Sequence, residues 1–571
     1  MLFCVCLHNV YNTRSGIFYE YFGGIITMTN NQPYQPIFIL PEETKRPTGK
    51  DAQRNTIAAA KAVAQTVRTT LGPKGMDKMI VDSLGGVIVT NDGVTILKEM
   101  QIEHQAAKMV VEIAKTQEDV IGDGTTTAVV LAGELLKKAE DLLDQNIHPT
   151  VLTKGYRIAE IEAQKILRSV AEKVGKENIT VFRQIAMTAM TGKGAEANKE
   201  VLADLLVRAV MRVVVEKEGK FDVHKDDIKV EKRVGESTEK SMLIEGIVLE
   251  KEKVHPMMPE RVSGARIALL DVGLEIKNTE IDAKIQITDP MQLQSFLDSE
   301  ERTLAEMVRK IKASGASVVF CQRGIDDLAQ HFLAKEGILA VRRVKKSDME
   351  KLSRATSGRI LNSWKELSVA DLGFAGLVRQ EMIGEEEMIF VEQCSNPKAV
   401  TLLVCGGTEH VAEEIKRAVV DAIGDLSAVL RDGTVVAGAG AIEMEVAQGL
   451  RRFMGTLSGR EQLAVQAYAE AMEVIPRTLA ENAGLDPLDV LVKLRAAHDK
   501  GQKWAGINVF TGEVMDAWQM GVLEPLKIKT QALSSATEVA EMILRIDDVI
   551  MGRQEKQMMR QGPGSGMDGM M

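Results

Sequence analysis

Two aspartates each sit in a short glycine-framed turn, Asn91-Asp92-Gly93-Val94-Thr95 and Gly122-Asp123-Gly124-Thr125-Thr126-Thr127. Mg²⁺ takes one or two carboxylates and leaves its other positions to water and substrate phosphates, so lone aspartates among glycines suit a metal-phosphate site. Glycine also lets backbone N–H groups approach phosphate oxygens. Asn-Asp-Gly alone is more often an ordinary turn than a ligand site, since Asn and Gly are what positive φ requires. The second turn leads into the apolar run Ala128 to Leu136, a helix whose start would face a bound anion. A third turn, Leu71-Gly72-Pro73-Lys74-Gly75-Met76-Asp77-Lys78, lies between the helical stretch Arg54 to Thr70 and the strand-like Met79 to Val81. Gly433 to Gly438 has the opening spacing of a Walker A loop but continues with Ala439 instead of Lys, which argues against a P-loop.

These turns need elements to hold them. Apolar residues at three- and four-residue spacing predict helices over Arg54 to Thr70, Ile102 to Ile121, Ala128 to Gln145 and Pro149 to Val174. The middle changes character: Arg266 to Val272, Val318 to Cys321 and Ile338 to Val341 read as strands, with Ile325 to Lys335 as a helix between the last two. After Ala399 the helical pattern returns. The run Lys277 to Leu297 is conspicuously apolar, with Ile281, Ile285, Ile287, Met291, Leu293, Phe296 and Leu297. Core packing is its plainest explanation. Glu301 to Ala313 is amphipathic through Leu304, Met307, Val308 and Ile311, and suits either a groove-facing surface or packing on a core.

Composition sets wider bounds. A chain of 571 residues with 45% apolar content has room for three or four domains with sizeable cores. A net charge of −10, with both signs mixed and no basic block, argues against a nucleic-acid binder. Five cysteines without a CxxC pair predict free thiols in a reducing compartment, and Cys4 and Cys6 lack the second pair that a metal site would need. No stretch reaches the length of an apolar membrane span. Residues 1–27 lack a basic n-region and a small-residue cleavage site, and read as an over-extended start or a lineage-specific arm. The tail from Gly562 to Met571 is rich in glycine and methionine and too short to fold alone.

In order and spacing, the three turns resemble the nucleotide-binding motifs of the chaperonin family. The similarity extends through Thr188-Ala189-Met190-Thr191-Gly192-Lys193, Val254-His255-Pro256-Met257-Met258-Pro259, Gly433 to Gly440, Asn482-Ala483-Gly484-Leu485-Asp486-Pro487 and Gly521 to Lys527, blocks that resemble group II chaperonins. It covers about Asn31 to Arg553. The resemblance implies a multidomain fold. A mainly α equatorial domain would be built from residues 28–176 and 433–553, and an α/β intermediate domain from 177–246 and 398–432. An α/β apical domain would span 247–397, with a helical-protrusion lid at about 277–300, and 554–571 would be a flexible tail.

The resemblance also implies a Mg-dependent ATPase that drives protein folding, with ATP and Mg²⁺ as cofactors. Its partners would be non-native client proteins and identical or paralogous subunits in stacked double rings, in an archaeal cytoplasm. Asp421 resembles the base that activates water, Asp123 the main Mg²⁺ ligand, and Asp92 the second carboxylate near the γ-phosphate. Leu71, Gly72, Pro73, Gly93, Gly122, Gly124, Thr125, Thr126 and Thr127 would form the phosphate cradle, and Lys193 would sense the γ-phosphate. Gly438 and Glu524 would lie near the ribose, and Asn508 and Val509 beside the adenine. Ala439 departs from the family's run of glycines, which matters if its position needs positive φ. A passive, ATPase-silent binder of unfolded chains is the alternative reading; a monomeric phosphotransferase would fit the aspartate turns alone.

Overall fold

In the computed structural model, which describes residues 49–81, 85–217, 220–276, 290–383, 386–395 and 397–549, the first stretch of chain is helical. Helix α1 spans Gly49–Arg68 and buries Ile57, Ala60, Val63, Ala64 and Val67, the stripe that its spacing predicts. It is followed by α2 (Gly93–Glu99), α3 (Gln105–Val120), α4 (Thr125–Asp144) and α5 (Pro149–Val170). The core is closed by Tyr156 of α5, fully buried, whose hydroxyl donates to the Leu135 carbonyl at 2.7 Å. Residues 1–27, the tail and residues 277–289 of the expected lid lie outside the described residues.

Next come α6 (Ile179–Met190) and α7 (Lys199–Val213). Beside them Val400–Gly406 pairs in parallel with Ile228–Val234 and antiparallel with Met242–Ile244. This strand corrects the expectation that helix returns directly after Ala399. All seven of its residues are buried, so it lacks the alternation that marks a half-buried strand.

The middle is α/β, as its pattern predicts. A seven-stranded sheet runs Leu339–Val341, Val318–Cys321, Arg261–Leu270, Gly373–Ile383, Glu386–Glu392 and Ile247–Leu249, with Ile360–Leu361 also paired to Arg261–Leu270. Around it lie α8 (Pro290–Ala313), α9 (Asp327–Lys335) and α10 (Lys346–Thr356). Leu304, Met307, Val308 and Ile311 of α8 enter a core with Val319, Leu333 and Ala340, so this amphipathic face packs inward. Toward the start of the same helix Met291, Phe296 and Leu297 are exposed.

Helix α11 (Glu409–Asp432) leads through Gly433 to the strand Thr434–Ala437, which pairs with Leu523–Pro525. The expected loop over Gly433 to Gly440 is therefore half strand. Helices α12 (Ala441–Met454), α13 (Glu461–Met472), α14 (Val474–Asn482), α15 (Pro487–Asp499) and α16 (Leu526–Leu544) complete the chain. One hydrophobic core unites residues of α1–α5 with residues of α12–α16, so the two ends of the chain build one body. A second core joins α6, α7 and α11.

Candidate functional site

The Asn91-Asp92-Gly93 segment is a helix start, not a positive-φ turn. Asp92, at φ −70°, caps α2 by accepting from the Thr95 backbone at 3.0 Å and the Thr95 hydroxyl at 2.6 Å. Its other oxygen accepts from the Thr125 hydroxyl at 3.4 Å. Gly93 is there for close approach: a Cβ would collide with the Thr126 hydroxyl. Asn91 donates to the Gly192 carbonyl at 2.6 Å and so ties the Lys193 loop to the Asp92 segment.

Asp123 projects from the turn between α3 and α4. Gly124 stands at φ +79° as the N-cap of α4 and offers no side-chain cap, leaving the first-turn N–H groups of a 20-residue helix for an anion. The fully buried Gln117 donates to the Asp123 carbonyl at 2.9 Å and steadies the turn. Leu71, Gly72 and Pro73 complete the cradle; their turn is held by the Asn482 amide, which donates to the Leu71 carbonyl at 2.9 Å.

Asp421 comes from the middle of α11. The Lys193 ammonium lies 2.7 Å from Asp421 Oδ2 and 3.6 Å from Asp123 Oδ1, so one cation spans two carboxylates from distant segments. Burial raises the Asp421 pKa, Lys193 lowers it, and Asp123 and Asp92 raise it again, with the result pushed up to about 7. Burial opposes the Lys193 charge, but Asp123, Asp421 and Asp92 outweigh it and hold its pKa above the ordinary lysine value. One helical turn on, Asp425 lines the same cleft. It is 2% exposed, and its Oδ1 accepts no hydrogen bond from any described residue. Burial, with Asp123 next in size, pushes its pKa well above the usual carboxylate range.

Near Glu524 a different cluster forms. Lys529 of α16 lies 2.9 Å from Glu443 Oε1 and 2.5 Å from Glu524 Oε2. Asn508 uses its side-chain oxygen to accept from the Phe510 backbone at 3.0 Å and thereby shapes its own turn, while Val509 is buried. The backbone of Ile507 donates to the Ala439 carbonyl at 3.0 Å. Ala439 does sit at positive φ, +55°.

Many of these groups line a cleft of about 400 Å³. Leu71, Gly72, Pro73, Asp92, Asp123, Gly124, Thr125, Thr126, Thr127, Lys193, Asn508, Val509 and Glu524 all face it. Gly93, Gly122, Gly438 and Asp421 are not on its wall. A Cβ at Gly438 would strike the Glu524 carboxylate, and Ala439 and Gly440 take the lining position in its place. Sequence reasoning missed Gln117, Asp425, Glu443 and Lys529, helix residues with no local signature. Among the described residues no group of three or more His, Cys, Asp or Glu forms a metal cage. Lone carboxylates beside an uncapped helix start fit Mg²⁺ carried by phosphate oxygens.

Residues 63–554 match the model of the TCP-1/cpn60 chaperonin family. The chain belongs to that family. This chaperonin is 61% identical over 518 residues to a thermosome subunit of Methanopyrus kandleri, a match covering 91% of this chain and 95% of the relative. It is 60% identical to the thermosome subunit beta of Archaeoglobus fulgidus, over 90% of this chain and 95% of that one. Among solved structures it resembles an open-state monomer of a group II chaperonin from Methanococcoides burtonii. There the TM-score is 0.56 and the identity 47%, over 75% of this chain and all of the other. The subunit is thus a group II chaperonin with the multidomain chaperonin fold.

Proposed function

We propose that this chaperonin subunit hydrolyses Mg-ATP in the cleft and uses the cycle to close an assembly of stacked rings, of identical or paralogous subunits, around non-native chains. The observation that carries the reading is the convergence of Asp92, Asp123, Asp421 and Lys193 from four separate segments. ATP is the substrate. The N–H groups at the start of α4, with the hydroxyls of Thr125, Thr126 and Thr127 and the Gly72–Pro73 turn, would hold its phosphates. Glu524 would meet the ribose, and Asn508 and Val509 would border the base. Asp123, with Asp92 beside it, would hold Mg²⁺, which when bound supplies positive charge to the phosphate oxygens.

Asp421 orients the attacking water and takes its proton. Lys193 keeps that carboxylate paired until a terminal phosphate next to Asp123 competes for the ammonium. The exchange frees Asp421 and moves the loop that carries Lys193. The core shared by α1–α5 and α12–α16, and the second core of α6, α7 and α11, support a reading of residues 28–176 and 433–553 as an equatorial domain, 177–246 and 398–432 as an intermediate domain and 247–397 as an apical one. The exposed Met291, Phe296 and Leu297 support an apolar lid surface on α8. Among the described residues no helix is long and apolar enough to cross a membrane, and the reading places the subunit in the cytoplasm.

Mg-dependent ATP hydrolysis by the assembled protein, measured beside Asp421→Ala, tests this. Turnover should fall by about 10²–10⁴ in the variant. Equal turnover in both would remove Asp421 from the mechanism, and none in the parent would leave a passive binder of unfolded chains.

A further inference from the structure

The reading above uses the cleft face of the Gly122–Gly124 turn. Its other face is held by Lys225, a lysine with no part in that chemistry. Lys225 opens a single 3-10 turn, Lys225–Asp227, and its ammonium donates to the Ile121 carbonyl at 2.6 Å. Ile121 caps the C-terminus of α3, where carbonyls lack backbone donors and the helix dipole favours a cation. Helix α11 presses on the same spot. A Cβ on Gly424 would collide with the Ile121 carbonyl oxygen and lie 3.4 Å from the Lys225 nitrogen. A Cβ on Gly122 would lie 3.5 Å from that nitrogen and 3.8 Å from the Asp421 Cα. The Asp123 turn, the Asp421 segment and Lys225 therefore meet at one point.

The same short turn also faces the α/β middle of the chain. Asp227, 4% exposed, is ion-paired with Arg354 of α10. Two residues further on, Lys229 pairs with Asp348 of α10 at 3.2 Å and with Glu231 at 2.7 Å. It also donates to the Val248 carbonyl at 2.8 Å. One stretch of backbone thus holds the nucleotide turn with its first residue and α10 with its third and fifth.

We infer that Lys225 is a positioning residue for the Asp123 turn, and that the Lys225–Asp227 turn is a latch that couples the position of this turn to α10. The catalytic half of the inference rests on the proposed ATPase; the mechanical half does not. When Lys225 holds Ile121, Asp123 stays against α11, and the Asp227–Arg354 pair registers that position on α10. A shift of the turn on ligand binding is then transmitted through three residues of backbone instead of being absorbed by a loop.

The test is amide hydrogen exchange on the assembled, nucleotide-free protein, beside ATPase kinetics. Lys225→Met should speed exchange at Gly122 and Asp123 by about ten-fold, the scale of one lost hydrogen bond to a charged group. It should lower kcat by about ten-fold and leave KM for ATP within about two-fold, because Asp123 is displaced and the phosphate cradle is not. Lys225→Arg, which keeps the charge and the donors, should recover most of both losses. Arg354→Met should speed exchange in α10 and also at Gly122 and Asp123 in the parent, but add nothing at the turn in the Lys225→Met background. Unchanged exchange at the turn in Lys225→Met overturns the positioning role. A turn that ignores Arg354→Met overturns the coupling. If the parent shows no ATPase at all, the proposed activity falls, while the exchange result still decides the latch.

Discussion

Two lysines line one cleft, each set between carboxylates, and they are anchored in opposite ways. Lys529 sits mid-helix on α16, 9% exposed, between Glu443 and Glu524. Its flanking residues Ile528, Ala532 and Leu533 are buried. Lys193 sits on a loop after α6, with Asp421 and Asp123 brought to it from α11 and the start of α4. Its loop is tethered to the Asp92 segment through Asn91 and Gly192. In both places burial opposes the ammonium and carboxylates outweigh it. The Lys193 side has a surplus of acid, since Asp92 adds to its pair, as does Asp425, whose Oδ1 accepts no hydrogen bond from any described residue. Lys529 cannot move without disturbing a core, whereas Lys193 can change partners by moving a loop. The first cluster is a fixed support and the second is built to respond.

The largest effect that would break this comparison comes from the fixed side. Lys529→Met leaves the buried Glu443 and the half-buried Glu524 without their cation, and should cost about 3–5 kcal/mol of stability, read from denaturant or thermal midpoints. A loss under about 1 kcal/mol would mean that water or a rearranged partner reaches those carboxylates, and the cluster is not rigid. Lys193→Met should cost less stability and act on titration. Lys193 holds the Asp421 pKa down against burial, so its removal raises that pKa further above the usual carboxylate range. If hydrolysis needs ionised Asp421, activity rises with pH through this pKa. The acid limb of the pH–rate profile should therefore move up by about one to three pH units in the variant. An unmoved limb would place its origin in another group.

The fixed side was also the less legible one in the sequence. Asp92 and Asp123 stand out because glycines frame them, and that framing makes them candidate binding residues without any neighbour in space. Asp421 came only through family resemblance, since an aspartate inside an amphipathic helix has no local mark. Gln117, Asp425, Lys225 and Lys529 are invisible for the same reason: their meaning lies in partners such as Ile121 or Glu443, far away along the chain. Helix periodicity exposed α1, α3 and α5 because each has one wet face, whereas α4 is buried all round over residues 127–136 and shows a wet face only beyond them. Periodicity failed at Val400–Gly406, where both faces of the strand are buried. The α/β middle was legible from short apolar runs separated by polar helix, but nothing in those runs shows that α10 would be tied to the Lys225–Asp227 turn.

On the responsive side, Asp425 sharpens the contrast through its proton. An acid whose folded pKa lies above its unfolded value holds, when folded, a proton that the unfolded chain releases. Stability is then fully present below the unfolded pKa of about 4 and is lost as pH rises toward the folded pKa. Asp425→Asn removes this dependence. It should raise the melting midpoint at neutral pH by the equivalent of about 1–2 kcal/mol, with a smaller gain near pH 5. The pH interval is the control: a gain that is constant with pH would report packing and not the proton.

The smallest effect tests where strain is stored. Ala439 lies at φ +55°, just before α12, the helix that carries Glu443 to Lys529, and its carbonyl accepts from Ile507 beside Asn508. The left-handed conformation costs an L-residue roughly 1–2 kcal/mol, and glycine would relieve it. Against that, Ala439→Gly loses a partly buried methyl and adds freedom to the unfolded chain, together about 1 kcal/mol. The balance is a stabilisation of up to about 1 kcal/mol, measurable as a small rise in melting midpoint, with nucleotide affinity unchanged because the backbone path is already in place. A tighter nucleotide in the variant would instead show that the methyl crowds the ribose. The cleft's fixed side would then be trading binding, not only stability, for the alanine it holds.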